Sequence, residues 1–592
     1  MTTTRRRIVI AAAAVVILGG LLLADLYSRG LAWRAFYNLT GEESPPSQII
    51  GMTHWAGRWF RQQPQTAPYT PMDHIDVPPY GINVFLEQEA EIEKRELILQ
   101  MVSDAGFVWL RQEFPWEDIE IHGRGDFEDR RNDMDGDGEI DTISAWDKYD
   151  NIVGLTEQYG LRLQARLSNP PRWTHSDPAV GDFAPPDDIQ DYVNFATTVA
   201  ERYKGRIFHY QIWNEPNIFP EWGDRFVDPA GYTDMLCRTY DALKAVDPEI
   251  VVVSAALAQT NAMDGRNLND YFFLQRMLDA GAADCFDILA VQGYGLNSGP
   301  TDRRMRATTV NFSRPMYIRD ILVRNGHADK PIWISEAAWN PVPEPDEVPE
   351  VDARYNFGQV TEEQAARFMV DAYERQQQEW PYVGVTFYWF FKRAADFERN
   401  QSFYYFRMVE PDFTPLPIYD AMVAYTQQRE PVLYKGVHQE INPAFVLPAD
   451  AQIVTAEGAQ FANAVQTRTI AFNASGTEVS VRWRDGETIT VFRDGTPVIT
   501  LESDDEATFT ADGWHEARVR LGWVASPHQL RIDASSGDML LDSVTVYDNT
   551  VLDIAILAGA GLLIVLAIGG GYALLRASRP ATSPVVHPGT AG

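Results

Sequence analysis

The chain has 592 residues, 45% of them hydrophobic and 22% charged, and a formal net charge of −33. This composition is typical of a globular protein and excludes the disordered, collagen-like and disulfide-scaffold classes. The excess of carboxylates repels phosphate backbones, which excludes nucleic acid as a partner.

The cysteine content limits the cross-links and metal sites that the chain can form. Cys237 and Cys285 are the only two cysteines in the sequence, so a thiolate metal cluster is excluded and at most one disulfide is allowed. Both fall within one predicted domain, and we expect a free, buried pair.

The amino-terminal end is basic and then apolar. Arg5, Arg6 and Arg7 directly precede the uninterrupted apolar residues 8–23. A signal peptide has the same charge pattern, but its apolar region usually has about 7–15 residues. We therefore predict a cytoplasmic basic end with an uncleaved transmembrane anchor over residues 1–27, with a cleaved signal peptide as the alternative. Residues 28–79 are rich in Pro, Gln and Trp and are predicted to be a linker or a lead-in that packs on the next domain.

Residues 80–430 alternate short apolar runs with amphipathic stretches, the pattern of a parallel sheet. The predicted strands are 80–87, 107–114, 161–168, 207–213, 250–257, 287–294, 331–336 and 383–390. Amphipathic helical stretches are predicted at 89–105, 187–203, 230–246, 267–281 and 361–379. Eight such units predict an α/β fold of the (β/α)8 TIM-barrel type. A doubly wound sheet is the competing fold, but no glycine-rich phosphate loop follows any strand.

Residues 431–549 show a different pattern, with apolar and polar residues alternating between Gly, Asp, Asn and Ser turns. The predicted strands are 452–456, 467–473, 477–484, 488–493, 497–501, 516–523, 528–533 and 539–547. This pattern predicts an all-β sandwich or jelly roll. Trp483, Trp514 and Trp523 are its candidate aromatic platforms for a ligand, and a spacer role without ligand binding is the alternative.

A second apolar segment, residues 554–575, lies near the carboxyl end and has the about 20 residues that a bilayer-spanning helix needs. We predict a transmembrane helix over 550–576 and a disordered cytoplasmic tail over 577–592. Arg576 and Arg579 follow the apolar segment, and basic residues collect on the cytoplasmic side of membranes. We therefore expect a protein of the cell membrane, with both termini cytoplasmic, the two domains between the apolar segments extracytoplasmic and the lipid bilayer as a partner.

Two glutamates end predicted strands of the barrel. The fourth strand leads into Asn214-Glu215-Pro216, and the seventh ends in Ser335-Glu336. The carboxyl ends of barrel strands share one rim, where active sites lie. Cleavage of a glycosidic bond needs two opposed carboxylates, one to protonate the leaving oxygen and one to attack the anomeric carbon or direct water to it.

The sequence around Glu215 resembles a known family. Residues 210–217 read Tyr-Gln-Ile-Trp-Asn-Glu-Pro-Asn, and Glu-Trp-Gly at 221–223 and Asp-Pro at 228–229 follow. This stretch resembles the retaining (β/α)8 glycoside hydrolases of the cellulase and β-xylosidase clan (clan A), and most resembles glycoside hydrolase family 39. The resemblance covers residues 80–430. It implies Glu215 as the acid/base, Glu336 as the nucleophile and Asn214 as the ligand of the sugar 2-hydroxyl, with no cofactor for catalysis.

Further substrate-site residues follow from the same resemblance. Arg111 matches the clan's arginine beside the nucleophile, Tyr294 matches a tyrosine that hydrogen-bonds the nucleophile, and Trp389 matches the aromatic platform under the reactive sugar. Gln292 stands where many relatives have a histidine, so it can donate a hydrogen bond but cannot titrate near neutral pH. We also expect Trp339 to contact the sugar, with core packing as the alternative.

An acidic loop, residues 133–141, follows the second strand. Counted from Asp133, its carboxylates at positions 1, 3, 5 and 9 and its glycine at position 6 reproduce the first part of an EF-hand loop. The loop resembles the calcium loops of dockerins. Position 12 is Ser144, so the usual bidentate ligand is missing there, and Asp147 is one residue that can replace it. A structural Ca²⁺ is predicted here, and a solvated acidic loop is the alternative. The candidate ligands are Asp133, Asp135, Asp137, Glu139 and Asp141.

The sequence therefore predicts a membrane-anchored retaining glycosidase that acts by double displacement on an extracellular or envelope polysaccharide or oligosaccharide. A non-hydrolytic carbohydrate-binding or polysaccharide-export accessory protein is the rival from another class, and the two glutamates argue against it. A transglycosylase uses the same glutamates, and the sequence does not separate it from a hydrolase.

Overall fold

Eight parallel strands form a barrel in which each strand is followed by a helix. The computed structural model describes residues 13, 17, 19–133, 137–502, 508–510 and 512–549. The strands are β1 (Tyr80–Val84), β2 (Trp109–Pro115), β3 (Arg162–Ser168), β4 (His209–Ile212), β5 (Val251–Val253), β6 (Leu289–Gln292), β7 (Ile332–Ala337) and β8 (Val383–Tyr388). They pair in the order β5-β4-β3-β2-β1-β8-β7-β6, which confirms the predicted (β/α)8 barrel.

The lead-in and barrel helices are α1 (Leu31–Thr40), α2 (Pro45–Gly57), α3 (Ile92–Asp104), α4 (Trp146–Gln158), α5 (Ile189–Arg202), α6 (Pro229–Val246), α7 (Asp270–Asp279), α8 (Pro315–Arg324), α9 (Glu362–Glu379) and α10 (Pro417–Gln428). Side chains cap several of their amino termini. Asp188 and Asp228 accept backbone N–H bonds at the starts of α5 and α6, and Thr361 and Gln364 form a capping box at α9. These caps satisfy donors that the first helical turn leaves free.

The two ends of the barrel differ. At the amino-terminal end of the strands, Trp109, His209 and Trp333 close the interior, with ring centroids 4.8–5.3 Å apart. The opposite end, where the strands deliver their carboxyl-terminal residues, is the end that the sequence predicts to carry chemistry.

The barrel is paired least where β5 meets β6. In this part of the described chain, the two strands are joined by two isolated parallel bridges, Val253 with Ile288 and Leu257 with Val291, instead of a continuous ladder. Cys237 on α6 and Cys285, just before β6, form a disulfide with Cα atoms 4.7 Å apart. The expectation of a free pair is therefore wrong, because the fold brings together two residues that are 48 positions apart in the chain.

The segment before the barrel packs on its outer wall. The Tyr37 hydroxyl of α1 donates to Asp371 on α9 at 2.9 Å, and the Gly299 amide donates to the Gly41 carbonyl at 2.7 Å. Gly41 has φ +65°, and a Cβ there would lie 2.5 Å from the Gly299 carbonyl oxygen, so the close contact requires glycine.

Two antiparallel sheets follow the barrel and confirm the predicted sandwich. Their strands are β9 (Gly436–His438), β10 (Phe445–Val446), β11 (Gln452–Thr455), β12 (Asn463–Thr467), β13 (Thr469–Gly476), β14 (Glu478–Asp485), β15 (Thr488–Arg493), β16 (Thr496–Glu502), β17 (His515–Arg520), β18 (Ser526–Ala534) and β19 (Met539–Tyr547). One sheet has the order β11-β12-β19-β14-β17, with β9 beside β19, and the other has the order β10-β13-β18-β15-β16.

A buried hydrogen-bond cluster joins the sandwich to the barrel. Asp76, just before β1, accepts from His438 Nδ1 at 2.9 Å, from the Gln439 amide at 2.7 Å and from Asn442 Nδ2 at 2.6 Å. His438 Nε2 lies 2.7 Å from the Tyr434 carbonyl oxygen. These bonds fix the base of the barrel to the first strand of the sandwich.

The predicted membrane segments lie largely outside the described residues. Within the part of the chain that the structure describes, every helix is too short or too polar to span a bilayer. The helix predicted over 550–576 and the tail over 577–592 fall outside these residues, as does most of the segment 1–27.

Candidate active site

Two glutamates, one on a strand and one in the loop after another strand, face one cavity at the carboxyl-terminal end of the barrel. Glu336 lies near the end of β7, and Glu215 lies in the loop after β4. Both line a cavity of about 760 Å³, together with Asn214, Tyr294 and Trp389. The structure therefore brings these five predicted site residues to one place.

Glu336 is held by two donors, one to each oxygen. Arg111 Nη1 donates to Oε1 at 2.8 Å, and the Tyr294 hydroxyl donates to Oε2 at 2.6 Å. Burial, and then the charge of Glu336, raise the pKa of Tyr294 well above its usual value, so its hydroxyl keeps the proton that it donates. The carboxylate is 4% exposed and is fixed in direction by these contacts.

Arg111 also organises the groups around Glu336. Its Nε donates to Gln211 at 2.7 Å, Nη1 also donates to Asn83 at 2.7 Å, and Nη2 donates to Asn214 Oδ1 at 2.9 Å. A planar guanidinium presents its donors in a fixed arrangement, so it holds several partners at once. One buried cation on β2 thus links residues of β1, β4 and β7 with Asn214, just after β4.

Glu215 has a different environment. Burial raises its pKa well above the usual range of a glutamate, and the charges of Glu336 and Glu221 raise it further. Gln292 Nε2 donates to Oε1 at 3.0 Å, which places the predicted histidine replacement in contact with Glu215. Glu215 therefore favours its protonated form and faces the same cavity as Glu336, whose two oxygens both accept hydrogen bonds.

Trp389 forms part of the cavity wall and is half-buried. Its indole meets the ring of Phe85 edge to face, with centroids 5.6 Å apart. An indole held in this way presents an apolar face, to which the C–H faces of a sugar ring can pack.

Sequence reasoning missed a second group of charged residues in the cavity. Burial raises the pKa of Glu221 to about 6, against the lowering effects of Arg166 and of a hydrogen bond from Asn214. Arg166 forms an ion pair with Glu113 at 2.6 Å. Glu221 follows β4 in an irregular loop, where no periodic pattern marks it, but Glu113 and Arg166 lie on β2 and β3 near their carboxyl ends, a position that could have been noted.

The substrate contact predicted for Trp339 is wrong. Trp339 is 1% exposed, packs against Phe312 and Phe368, and donates through Nε1 to the Ser298 carbonyl at 2.7 Å. Its indole fills the space beside Gly295, where a Cβ would lie 2.0 Å from the ring. It is therefore a core residue outside the cavity.

Two of the candidate platforms in the sandwich are also core residues. Trp483 and Trp514 are fully buried, whereas Trp523 is 82% exposed. The alternation of a two-sided sheet places tryptophans equally well inside or outside, so the sequence alone does not separate these positions.

The acidic loop shows local hydrogen bonds. Asp133 accepts from the Gly138 amide at 2.9 Å and Asp137 from the Glu139 amide at 2.8 Å, while the Asp141 amide donates to the Asn132 carbonyl at 3.0 Å. Asp135 lies outside the described residues. Among the residues that are described, no three His, Cys, Asp or Glu side chains converge as a metal site would require. The calcium site stays a prediction.

The chain is similar to known proteins in its fold. No protein-family model and no curated protein matches the chain. Among solved structures, the chain is similar to a family 39 glycoside hydrolase from Bacteroides cellulosilyticus WH2, at 15% identity over 78% of this chain and 82% of that chain, with a TM-score of 0.42. It is also similar to a GH39 β-xylosidase from Caulobacter crescentus, at 16% identity over 80% and 97% of the two chains and a TM-score of 0.42.

A third similar structure is the exo-β-1,4-mannosidase Op5Man5 from Opitutaceae bacterium strain TAV5, at 17% identity, 62% coverage of each chain and a TM-score of 0.41. The first two structures are named as family 39 enzymes and the third as a mannosidase. At 15–17% identity, this similarity concerns the fold.

Proposed function

We propose that this protein is a retaining glycoside hydrolase. The observation that carries the proposal is the pair of glutamates in one cavity with opposite environments. Glu336 accepts hydrogen bonds from Arg111 and Tyr294 on its two oxygens, whereas burial and neighbouring charge keep a proton on Glu215. Two carboxyl groups whose surroundings separate their protonation states form an acid and a nucleophile.

The reaction has two steps at this pair. Glu336 attacks the anomeric carbon while Glu215 gives its proton to the leaving oxygen, which forms a covalent glycosyl intermediate on Glu336 and releases the aglycone. Glu215, now ionised, then removes a proton from an incoming water, and the water oxygen displaces Glu336 from the anomeric carbon. The sugar leaves with its original configuration, and both glutamates return to their starting states.

The remaining site residues orient the sugar. Asn214 is held by Arg111 and by Glu221, so its amide has a fixed direction beside the nucleophile. This position suits a hydrogen bond to the sugar 2-hydroxyl, which strengthens in the transition state. Trp389 supplies an apolar surface in the wall of the same cavity.

The substrate that we propose is an extracellular or envelope polysaccharide or oligosaccharide, with the enzyme anchored in the cell membrane by its apolar ends and the catalytic domain facing outward. The Cys237–Cys285 disulfide supports an extracytoplasmic location, because disulfides persist in oxidising compartments and are rare in the cytosol. The basic residues that flank both apolar segments support cytoplasmic termini.

A polysaccharide panel tests the activity, with the full chain and the variants Glu336→Gln and Glu215→Gln. We expect both variants to lose hydrolysis and Glu344→Gln, an exposed glutamate after β7, to keep it. Hydrolysis that survives either of the first two substitutions contradicts the proposal. Sugar binding without turnover in the parent chain supports the accessory-protein alternative.

Azide rescue separates the two roles. With Glu336→Ala, azide attacks directly and gives a glycosyl azide of inverted configuration, whereas Glu215→Ala retains the nucleophile and gives a glycosyl azide of retained configuration. NMR of the products distinguishes the two. Identical products from both variants contradict the assignment, and products extended by an acceptor sugar in the parent enzyme identify a transglycosylase.

A further inference from the structure

One edge of the sandwich combines exposed apolar residues with cations. Trp523 and Val524, in the loop between β17 and β18, are 82% and 63% exposed. The guanidinium of Arg520 lies over the Trp523 ring at 3.6 Å, and that of Arg518 lies over the Tyr547 ring at 4.3 Å. We call these five residues the exit edge, because the chain leaves the sandwich there after Tyr547.

Backbone hydrogen bonds fix the loop beside the end of β19. Arg520 and Tyr547 are both register partners of Glu478, on the two sides of β14. The Gly522 amide donates to the Thr477 carbonyl at 3.1 Å, and the Thr477 amide donates to the Tyr547 carbonyl at 2.8 Å. The Asn549 amide donates to Thr477 Oγ1 at 3.1 Å. Trp523 is therefore held next to the point where the chain continues toward residue 554.

The length of the remaining chain limits how far the exit edge can lie from the apolar segment 554–575. Only four residues separate Asn549 from residue 554, and a fully extended chain of this length reaches at most about 18 Å. If the segment spans a bilayer, Asn549 lies within that distance of the lipid surface, and the exit edge lies beside Asn549. Trp and Tyr are enriched at membrane interfaces, and arginine stems pack on apolar surface while the charged ends reach phosphates.

We propose that the exit edge is a lipid-binding surface that rests on an anionic membrane, with Trp523 and Val524 entering the headgroup region and Arg518 and Arg520 binding lipid phosphates. This inference rests on the proposed membrane attachment but not on the glycosidase activity. Such a contact would fix the orientation of the sandwich on the bilayer and so determine the distance between the barrel and the lipid surface.

Site-specific labelling tests the contact in the full chain. The two native cysteines are joined in a disulfide, so an introduced cysteine is the single free thiol. Val524→Cys keeps Trp523 and places a polarity-sensitive dye in the exit edge. The matched control is Ser536→Cys, an exposed position in the turn at the opposite end of β19. Both proteins are reconstituted into vesicles of phosphatidylcholine and phosphatidylglycerol that contain a doxyl-labelled lipid.

We expect the dye at 524 to show blue-shifted emission and severalfold stronger quenching by the doxyl lipid than the dye at 536. Adding Arg518→Gln and Arg520→Gln should reduce the quenching to the level found in phosphatidylcholine alone. Equal quenching at both positions in vesicle-bound protein overturns the lipid surface and leaves the anchor intact. A dye at 524 that responds to polysaccharide and not to doxyl lipid also overturns it. Protein that does not float with the vesicles overturns both the anchor and the surface.

Discussion

At the scale of single residues, the candidate site separates two glutamates by their partners. Arg111 and Tyr294 donate to Glu336, while Gln292 is the side chain that donates to Glu215. Each of these donors acts on one carboxyl group, so substitutions of Tyr294 and Gln292 should change different parts of the kinetics.

Tyr294→Phe removes one of the two hydrogen bonds to Glu336. Hydrogen bonds to charged groups contribute about 1.5–3 kcal/mol, so kcat/KM should fall by about 10- to 150-fold. Steady-state kinetics on an active substrate checks this value. Tyr192→Phe is the control, because its hydroxyl donates to the Leu167 carbonyl in the barrel wall. An equal loss in both variants would show that the effect of Tyr294 is structural.

Gln292→Leu should move the basic limb of the pH profile to higher pH. The amide of Gln292 lowers the pKa of Glu215 by donating to its ionised form, against the larger raising effects of burial and of Glu336. Without the donor the pKa of Glu215 rises, and the protonated acid persists to higher pH. The measurement is kcat/KM against pH. A basic limb that stays in place would show that another group controls it.

At the scale of strands and helices, the sequence predicts the architecture well, but it predicts less well whether a single side chain lies in the cavity or in the core. Runs such as Val251-Val252-Val253 predict strands buried on both faces, and the carboxyl-terminal positions of Glu215 and Glu336 follow from the strand pattern. The prediction for Trp339 is wrong because position along the chain does not determine whether a ring after β7 points toward the cavity or the core. The pairing of the two cysteines depends on tertiary contacts, which the sequence pattern does not describe. Glu221 lies in an irregular loop, where no periodic pattern marks it.

The disulfide between α6 and the turn before β6 should contribute strongly to stability. The loop that it closes, with 48 residues of sequence separation, corresponds to about 4 kcal/mol in the chain-entropy model. We expect the double variant Cys237→Ser, Cys285→Ser to unfold at a clearly lower temperature and denaturant concentration. Unfolding of the parent with and without reductant is the comparison. A reductant-insensitive parent would contradict this role.

At the scale of the whole molecule, the barrel and the sandwich are joined through an ionisable pair. Burial lowers the pKa of His438, but Asp76 and the Tyr434 carbonyl outweigh it and raise the pKa above its usual value. Both ring nitrogens face acceptors, as an imidazolium requires. The stabilisation is therefore complete below the unfolded pKa of about 6.5, and it is lost as the pH rises through the higher folded value.

His438→Gln should consequently show a smaller loss of thermal stability than the parent when the pH rises from about 6 to about 9. Differential scanning calorimetry of both proteins at the two pH values gives the comparison. Equal losses in the two proteins would show that other groups, such as the buried carboxylates, cause the pH dependence.

The sparse pairing between β5 and β6 makes this junction the place where we expect the barrel to open locally. Gln292 and Tyr294 are carried by β6 and the residues just after it, so a transient gap at this junction would shift the partners of both glutamates before the other strands separate. The Cys237–Cys285 disulfide limits this opening, because it ties the start of β6 to α6. After reduction of the disulfide, hydrogen exchange should speed up first at the amides of β6. The enzymatic activity should then fall while most of the barrel is still protected from exchange.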